Sequence, residues 1–189
     1  MTVEAGSAAS QAGLRPEDRL LAINAQPLRD VIDVQIYAAE SDLAFLIERE
    51  GQQKVLTAQR HYGQSLGLDF HAPLFDGPVR TCRNHCVFCF IDQMPTTDST
   101  PSNLCRPSLY VKDDDYRCSF LHGTYITLTN LTEADWDRIA GQHLSPLYVS
   151  VHATHPETRV TLMKNPRAGE IMTQLEKLAE IGIQIHTQA

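Results

Sequence analysis

Three of the chain's five cysteines fall inside the eight-residue stretch CRNHCVFC, where Cys82, Cys86 and Cys89 stand at i, i+4 and i+7. Thiols this close admit three chemistries. On a helix they would share one face and pack as a buried apolar stripe. As thiolates completed by His85, Cys105 or Cys118 they would make a tetrahedral zinc site. Zinc sites usually assemble from two separated ligand pairs, however, and this chain has none. As three sulfurs converging from a loop they would hold an iron–sulfur cluster with one iron left open. The strand-like segment ending at Arg80-Thr81, followed by Arg83, Asn84 and His85, reads as a loop entry and not as a helix start.

Composition narrows the class. The chain has 189 residues, 42% of them apolar and 21% charged, enough for one good core or two small ones. No apolar stretch is long enough for a membrane span, and no basic segment followed by an apolar one opens the chain as a signal peptide would. The expected compartment is therefore the cytoplasm. An odd number of cysteines, three of them crowded, argues against a secreted disulfide framework and for reduced thiols on a metal. The formal charge of −7 argues against nonspecific binding to nucleic acid or anionic lipid, which needs clustered Lys and Arg, while leaving room for a local basic pocket serving an RNA substrate.

The elements that must position the cysteines follow two patterns. Residues 1–70 read as short alternating segments between turns, notably DRLLAINAQPL and a hairpin over 43–60 that turns at Glu50-Gly51-Gln52, with a short helix within 28–39. From 71 to 189 strands alternate with helices. DDDYRCSFLHG is expected as a helix with acidic residues in its first turn, and TYITLTN as a strand. Thr132 with Asp135 forms a capping-box start for EADWDRIAGQH, and PLYVSVHAT is the next strand. AGEIMTQLEKLAEIG carries a helical stripe at Ile171, Met172, Leu175, Leu178 and Ile181, and IQIHTQA opens a further strand. Such alternation predicts a parallel sheet covered by helices, with about three and a half βα units present. The expectation is a truncated chain, or a sheet completed by a second chain.

Two resemblances sharpen this. AGSAASQAGLRPEDRLLAINAQPL resembles the bacterial PDZ domain through Ala12-Gly13-Leu14, Pro16, Asp18, Ile23 and Asn24, departing where that family usually has glycine, at Glu17 and Ala25. The resemblance implies binding of a peptide or protein by strand addition, with the carboxylate held on the amides of a Gly-Leu-Gly-Phe-like loop. No such loop precedes Gly6. SLGLDF (65–70) has that character in a circularly permuted position, but reads more simply as one more strand with Gly67 at a bulge.

Cys-x3-Cys-x2-Cys with Phe88 before the last cysteine resembles the cluster loop of the radical S-adenosylmethionine (radical SAM) superfamily. CRNHCVFCFIDQMP, RPSLYVKDDDYR, SFLHGTYITLTNL and LSPLYVSVHAT with KNPRAG are similar to an uncharacterised bacterial family that joins an N-terminal PDZ-like domain to a radical SAM core and a C-terminal domain of unknown function. The polar stretch 96–105 is an insertion relative to that pattern, and the expectation of a truncated chain would leave the last domain outside it. The fold implied is α/β: a small, mostly-β PDZ-like domain followed by the first part of a radical SAM partial (β/α) barrel. The resemblance implies a [4Fe–4S] cluster on Cys82, Cys86 and Cys89. It also implies reductive cleavage of S-adenosylmethionine to methionine and a 5′-deoxyadenosyl radical acting on an unnamed substrate, and an electron donor such as a flavodoxin or ferredoxin. Phe88, Asn130, Ser150 and His152 are the expected cofactor contacts. Asn130, or Thr129 beside it, stands where the superfamily carries a Gly-Gly-Glu-like motif. Ser150 and His152 are expected on one face at the end of the third strand. The KDDD cluster (112–115) reads as helix capping or as catalytic, and Cys105 and Cys118 fall outside the ligand set. The competing reading is a PDZ-like adaptor whose cysteine loop binds structural zinc or carries electrons.

Overall fold

Asn24 and Ala25 both adopt left-handed φ, 51° and 62°, in a two-residue turn that matches the twist of a β-hairpin. In this computed structural model, which describes residues 1–95 and 110–189, that turn joins β2 (Arg19–Ile23) to β3 (Gln26–Pro27). Asn24 fixes it to the next strand: its Oδ1 accepts from the Ala44 amide at 2.8 Å, and its Nδ2 donates to the Asp42 carbonyl at 3.2 Å. Ala25 occupies the position where glycine was expected, and the neighbouring contacts hold it there.

The chain divides into two units, Met1–Pro78 and Val79–Ala189. The first contains β1 (Thr2–Val3), α1 (Ala8–Ala12), β2, β3, α2 (Val31–Tyr37), β4 (Asp42–Arg49), β5 (Gln52–Gln59) and β6 (Leu68–Asp69). The antiparallel sheet runs β3-β2-β4-β5, and β1 pairs with β6. Along β4, Leu43, Phe45 and Ile47 alternate into a core with Ile23, Val34 and Leu14, as a strand buried on one face requires. Glu50 and Gly51, both at positive φ, make the turn between β4 and β5. The segment after residue 70 stays with this unit because the Val31 amide donates to the Pro73 carbonyl and the Phe75 amide to the Arg29 carbonyl. Gly67 lies against the chain start, where an added Cβ would come within 2.1 Å of the Ser7 Cβ. The close approach of the Ser7 side chain and a left-handed φ of 70° both select glycine there.

The second unit contains α3 (Tyr116–His122), α4 (Glu133–Gly141), β7 (Leu147–Ser150), α5 (Pro156–Met163), a 3-10 turn (Pro166–Glu170), α6 (Ile171–Glu180) and β8 (Ile185–Gln188). β7 and β8 are parallel, and Ile126 makes a single parallel bridge to Val149 on the other side of β7. This is the mixed α/β pattern expected, with no closed barrel among the described residues. The Thr132–Asp135 capping box is present at α4.

Five local expectations change. TYITLTN is not a strand, because the Thr127 amide is taken by Asp114 Oδ1 at 2.6 Å and Leu128 turns to φ 63°. Side-chain partners thus replace a ladder. The segment ending at Thr81 keeps only one antiparallel bridge, to Asp113. α3 starts at Tyr116 with Asp115 as its N-cap, so the acidic residues precede the helix and do not fill its first turn. α5 was not foreseen, although Pro156 at its first position is an ordinary start signal; its cap is the less usual His155, whose side chain accepts from the Thr158 amide. On α6, Ile171 and Leu178 face inward with Gln174, whereas Met172 is 41% exposed.

Candidate functional site

The cysteine loop is pinned at both sides by backbone. The Cys82 amide donates to the Lys112 carbonyl at 2.7 Å, and the Asp114 amide to the Arg80 carbonyl at 2.9 Å. Further on, the His85 and Val87 amides donate to the Met163 and Leu162 carbonyls, each at 3.0 Å. Those carbonyls belong to the last turn of α5, which has no helical donors left for them. A helix end and a loop therefore satisfy each other, and the loop's course is fixed without secondary structure of its own.

Cys82, Cys86 and Cys89 are all half-buried and outside any disulfide. Burial, reinforced by the Asp114 carboxylate, pushes the Cys82 thiol up to about 11, against the opposing pull of Asn84 and Lys112. Cys86 is also raised, first by burial and then by Cys89 beside it. Both shifts favour the neutral thiol at Cys82 and Cys86, and a bound metal would have to release those protons. Lys112 reaches across the loop, its Nζ donating to the Asn84 carbonyl at 2.7 Å and to Asp92 Oδ2 at 2.6 Å.

Two residues that sequence reasoning missed organise the surroundings. Asn84 is fully buried and donates through Nδ2 to the Cys82 sulfur (3.2 Å) and Thr127 Oγ1 (2.9 Å). Arg159, also fully buried, donates to the carbonyls of Val151, Ala168, Thr127 and Ser150 at 2.7–3.0 Å. No carboxylate among the described residues lies within ion-pair distance of it. Its guanidinium ties α5 to the end of β7 and to the turn at 127.

The donor set suits an iron–sulfur group by its chemistry: three soft, unpaired thiols on one loop with an ammonium alongside to offset their negative charge. Among the described residues no three metal-ligating side chains are yet drawn round a common point, so binding would require the thiols to swing together.

Residues 60–189 match the Radical SAM-like domain family, and residues 1–60 match the PDZ domain family. The chain belongs to the Radical SAM-like domain family and carries a PDZ domain at its N-terminal side. No curated protein matches it.

Within the radical SAM-like region, the expected cofactor contacts meet different fates. Phe88 and His152 come together, with ring centroids 4.6 Å apart. Ser150 ends β7 with its carbonyl on Arg159. The expectation that Ser150 and His152 share a strand face fails, because β7 stops at Ser150 and His152 turns to φ 61°. Burial, then the Arg159 charge, lowers the His152 pKa. Asn130 donates Nδ2 to the Asp114 carbonyl at 2.9 Å, which fixes its side chain beside the network that leads to Cys82. Thr129 donates to Asn84 Oδ1 at 3.1 Å.

The KDDD cluster is neither a simple cap nor one unit. Lys112 serves the cysteine loop, Asp113 makes the bridge to Thr81, Asp114 binds Thr127, and Asp115 caps α3. Cys118 is buried in α3 with its thiol raised to about 11, first by burial and then by Asp115. Cys105 lies outside the described residues.

Proposed function

We propose that this chain is the cluster-bearing part of a radical SAM enzyme, an oxidoreductase acting on an unassigned substrate, with Cys82, Cys86 and Cys89 as ligands to a [4Fe–4S] cluster. The observation that carries this is three free, half-buried thiols on one loop, pinned by α5 and by Lys112, inside the region that matches the family. When bound, such a cluster supplies the electron that cleaves the sulfonium of S-adenosylmethionine. The chain's own residues prepare the place. Lys112 offsets the charge of the thiolates, and Asn84 orients Cys82. The Phe88–His152 ring pair offers a wall for an adenine and excludes water from that side. Asn130, its Nδ2 spent on Asp114, presents its side-chain oxygen to an amino group, and the Ser150 hydroxyl stands at the end of β7 as a further polar contact. Reduced thiols of this kind fit the cytoplasm, and the electron would come from a flavodoxin- or ferredoxin-like donor. No helix among the described residues is long and apolar enough to cross a membrane.

Anaerobic reconstitution of the whole chain with ferrous iron and sulfide tests the reading. About four irons and four sulfides per chain are expected, falling sharply in Cys86→Ala. One tightly held zinc with no sulfide would favour the structural-metal alternative instead.

A companion role for the first unit is peptide binding by strand addition. Supporting it, the Leu66 and Gly67 amides of the SLGL loop donate to no described residue, and β6 follows that loop directly. Fluorescence anisotropy with a labelled peptide should show binding that is lost when its C-terminus is amidated. Equal binding of the amidated form would contradict carboxylate capture.

A further inference from the structure

Asn84 sits between two of the cysteines with every polar atom of its side chain assigned. Nδ2 points at the Cys82 sulfur (3.2 Å) and Thr127 Oγ1 (2.9 Å), while Oδ1 accepts from Thr129 Oγ1 (3.1 Å) and Asn165 Nδ2 (2.6 Å). Two donors converge on Oδ1, so turning the amide over would set N–H against N–H and O–H. The orientation is further held by Lys112 on the Asn84 carbonyl and by Asn165, whose own Oδ1 accepts from the Arg167 amide at 3.0 Å and caps the 3-10 turn. An N–H therefore faces the sulfur by construction. Among the described residues no side chain donates to Cys86 or Cys89 in this way.

We infer that Asn84 is a positioning residue that aims an N–H at the sulfur of Cys82 and so raises the reduction potential of the cluster held there. This rests on the reading of Cys82 as a cluster ligand. Hydrogen bonds to cluster sulfurs stabilise the more electron-rich reduced state, and burial strengthens them. Among the described residues the sites at Cys86 and Cys89 lack this help, so Asn84 is the side chain that carries the effect there.

The test is a redox titration of the reconstituted whole chain, monitored by electron paramagnetic resonance, with dithionite supplying the single electron per cluster. Asn84→Asp keeps the shape but replaces the N–H by an oxygen. At a fixed poise its ratio of reduced to oxidised cluster should fall at least tenfold, equivalent to 59 mV for a one-electron couple. Thr129→Val, which removes one of the two donors fixing Oδ1, should shift the potential in the same direction by less, and decides the matter if Asn84→Asp holds no cluster. Unchanged potentials in the cluster-bearing variants would overturn the inference while leaving the cluster reading intact. A wild-type chain that takes up no cluster would overturn both.

Discussion

The rings of Phe88 and His152 meet at 4.6 Å between centroids, tilted by 59°, although they are far apart in sequence and lie on different segments. Phe88 comes from the cysteine loop and His152 from just past β7. Their contact holds an aromatic pair at the residue that directly precedes Cys89. Replacing His152 by Ala should leave iron uptake unchanged but weaken S-adenosylmethionine binding by about tenfold, near the upper end of what a ring contact contributes. Titration of the loaded protein checks this. An unchanged affinity would remove His152 from the cofactor site.

Arg159 should be the most costly single loss in the second unit. Arg159→Met removes a donor from four buried carbonyls, of which Val151 keeps the Ala153 amide, and destabilisation above about 3 kcal/mol is expected. Arg159→Lys should rescue little, since one ammonium cannot reproduce the directions of a guanidinium. Urea unfolding of the metal-free chain under reducing conditions measures both. A Met variant within about 1 kcal/mol of wild type would contradict this account.

Asp18 supplies an acid-side dependence in the first unit. Its Oδ1 accepts from Arg49 Nε at 2.6 Å, and its Oδ2 from Arg49 Nη2 at 2.7 Å and the Arg15 amide at 2.8 Å. Chiefly through Arg49, the folded carboxyl titrates below its ordinary 3.8. The unfolded chain therefore binds the proton first on acidification. The stabilisation is complete above pH 3.8 and disappears as pH falls through the lower folded value. Melting curves should show a gap between wild type and Asp18→Asn that is constant near neutrality and closes below pH 3.8. A gap that widens on acidification would reverse the assignment.

The chemistry-bearing loop was readable because three cysteines at fixed spacing announce themselves without any tertiary information. The Thr132–Asp135 cap and the Glu50-Gly51 turn were readable for the same reason, each being set by residues a few positions apart. Thr127 shows what was hidden. A β-branched, aromatic stretch predicts a strand, but the partner that overrides it, Asp114, lies outside the window that periodicity uses. Asn84 and Arg159 were missed likewise. Nothing local distinguishes a loop asparagine or a helical arginine from a solvated one; only the fold delivers Thr129, Asn165 and four carbonyls to them. A conserved-looking pattern could not help, but Asn84's place between two cysteines was a signal open to use.

The central claim is an open-iron cluster on Cys82, Cys86 and Cys89, and the most direct test is an anaerobic electron paramagnetic resonance spectrum of the dithionite-reduced chain with and without S-adenosylmethionine. The account predicts a reduced-cluster signal that changes on addition and disappears in Cys86→Ala. A cluster signal indifferent to S-adenosylmethionine, or no signal from a chain loaded with zinc, would contradict it.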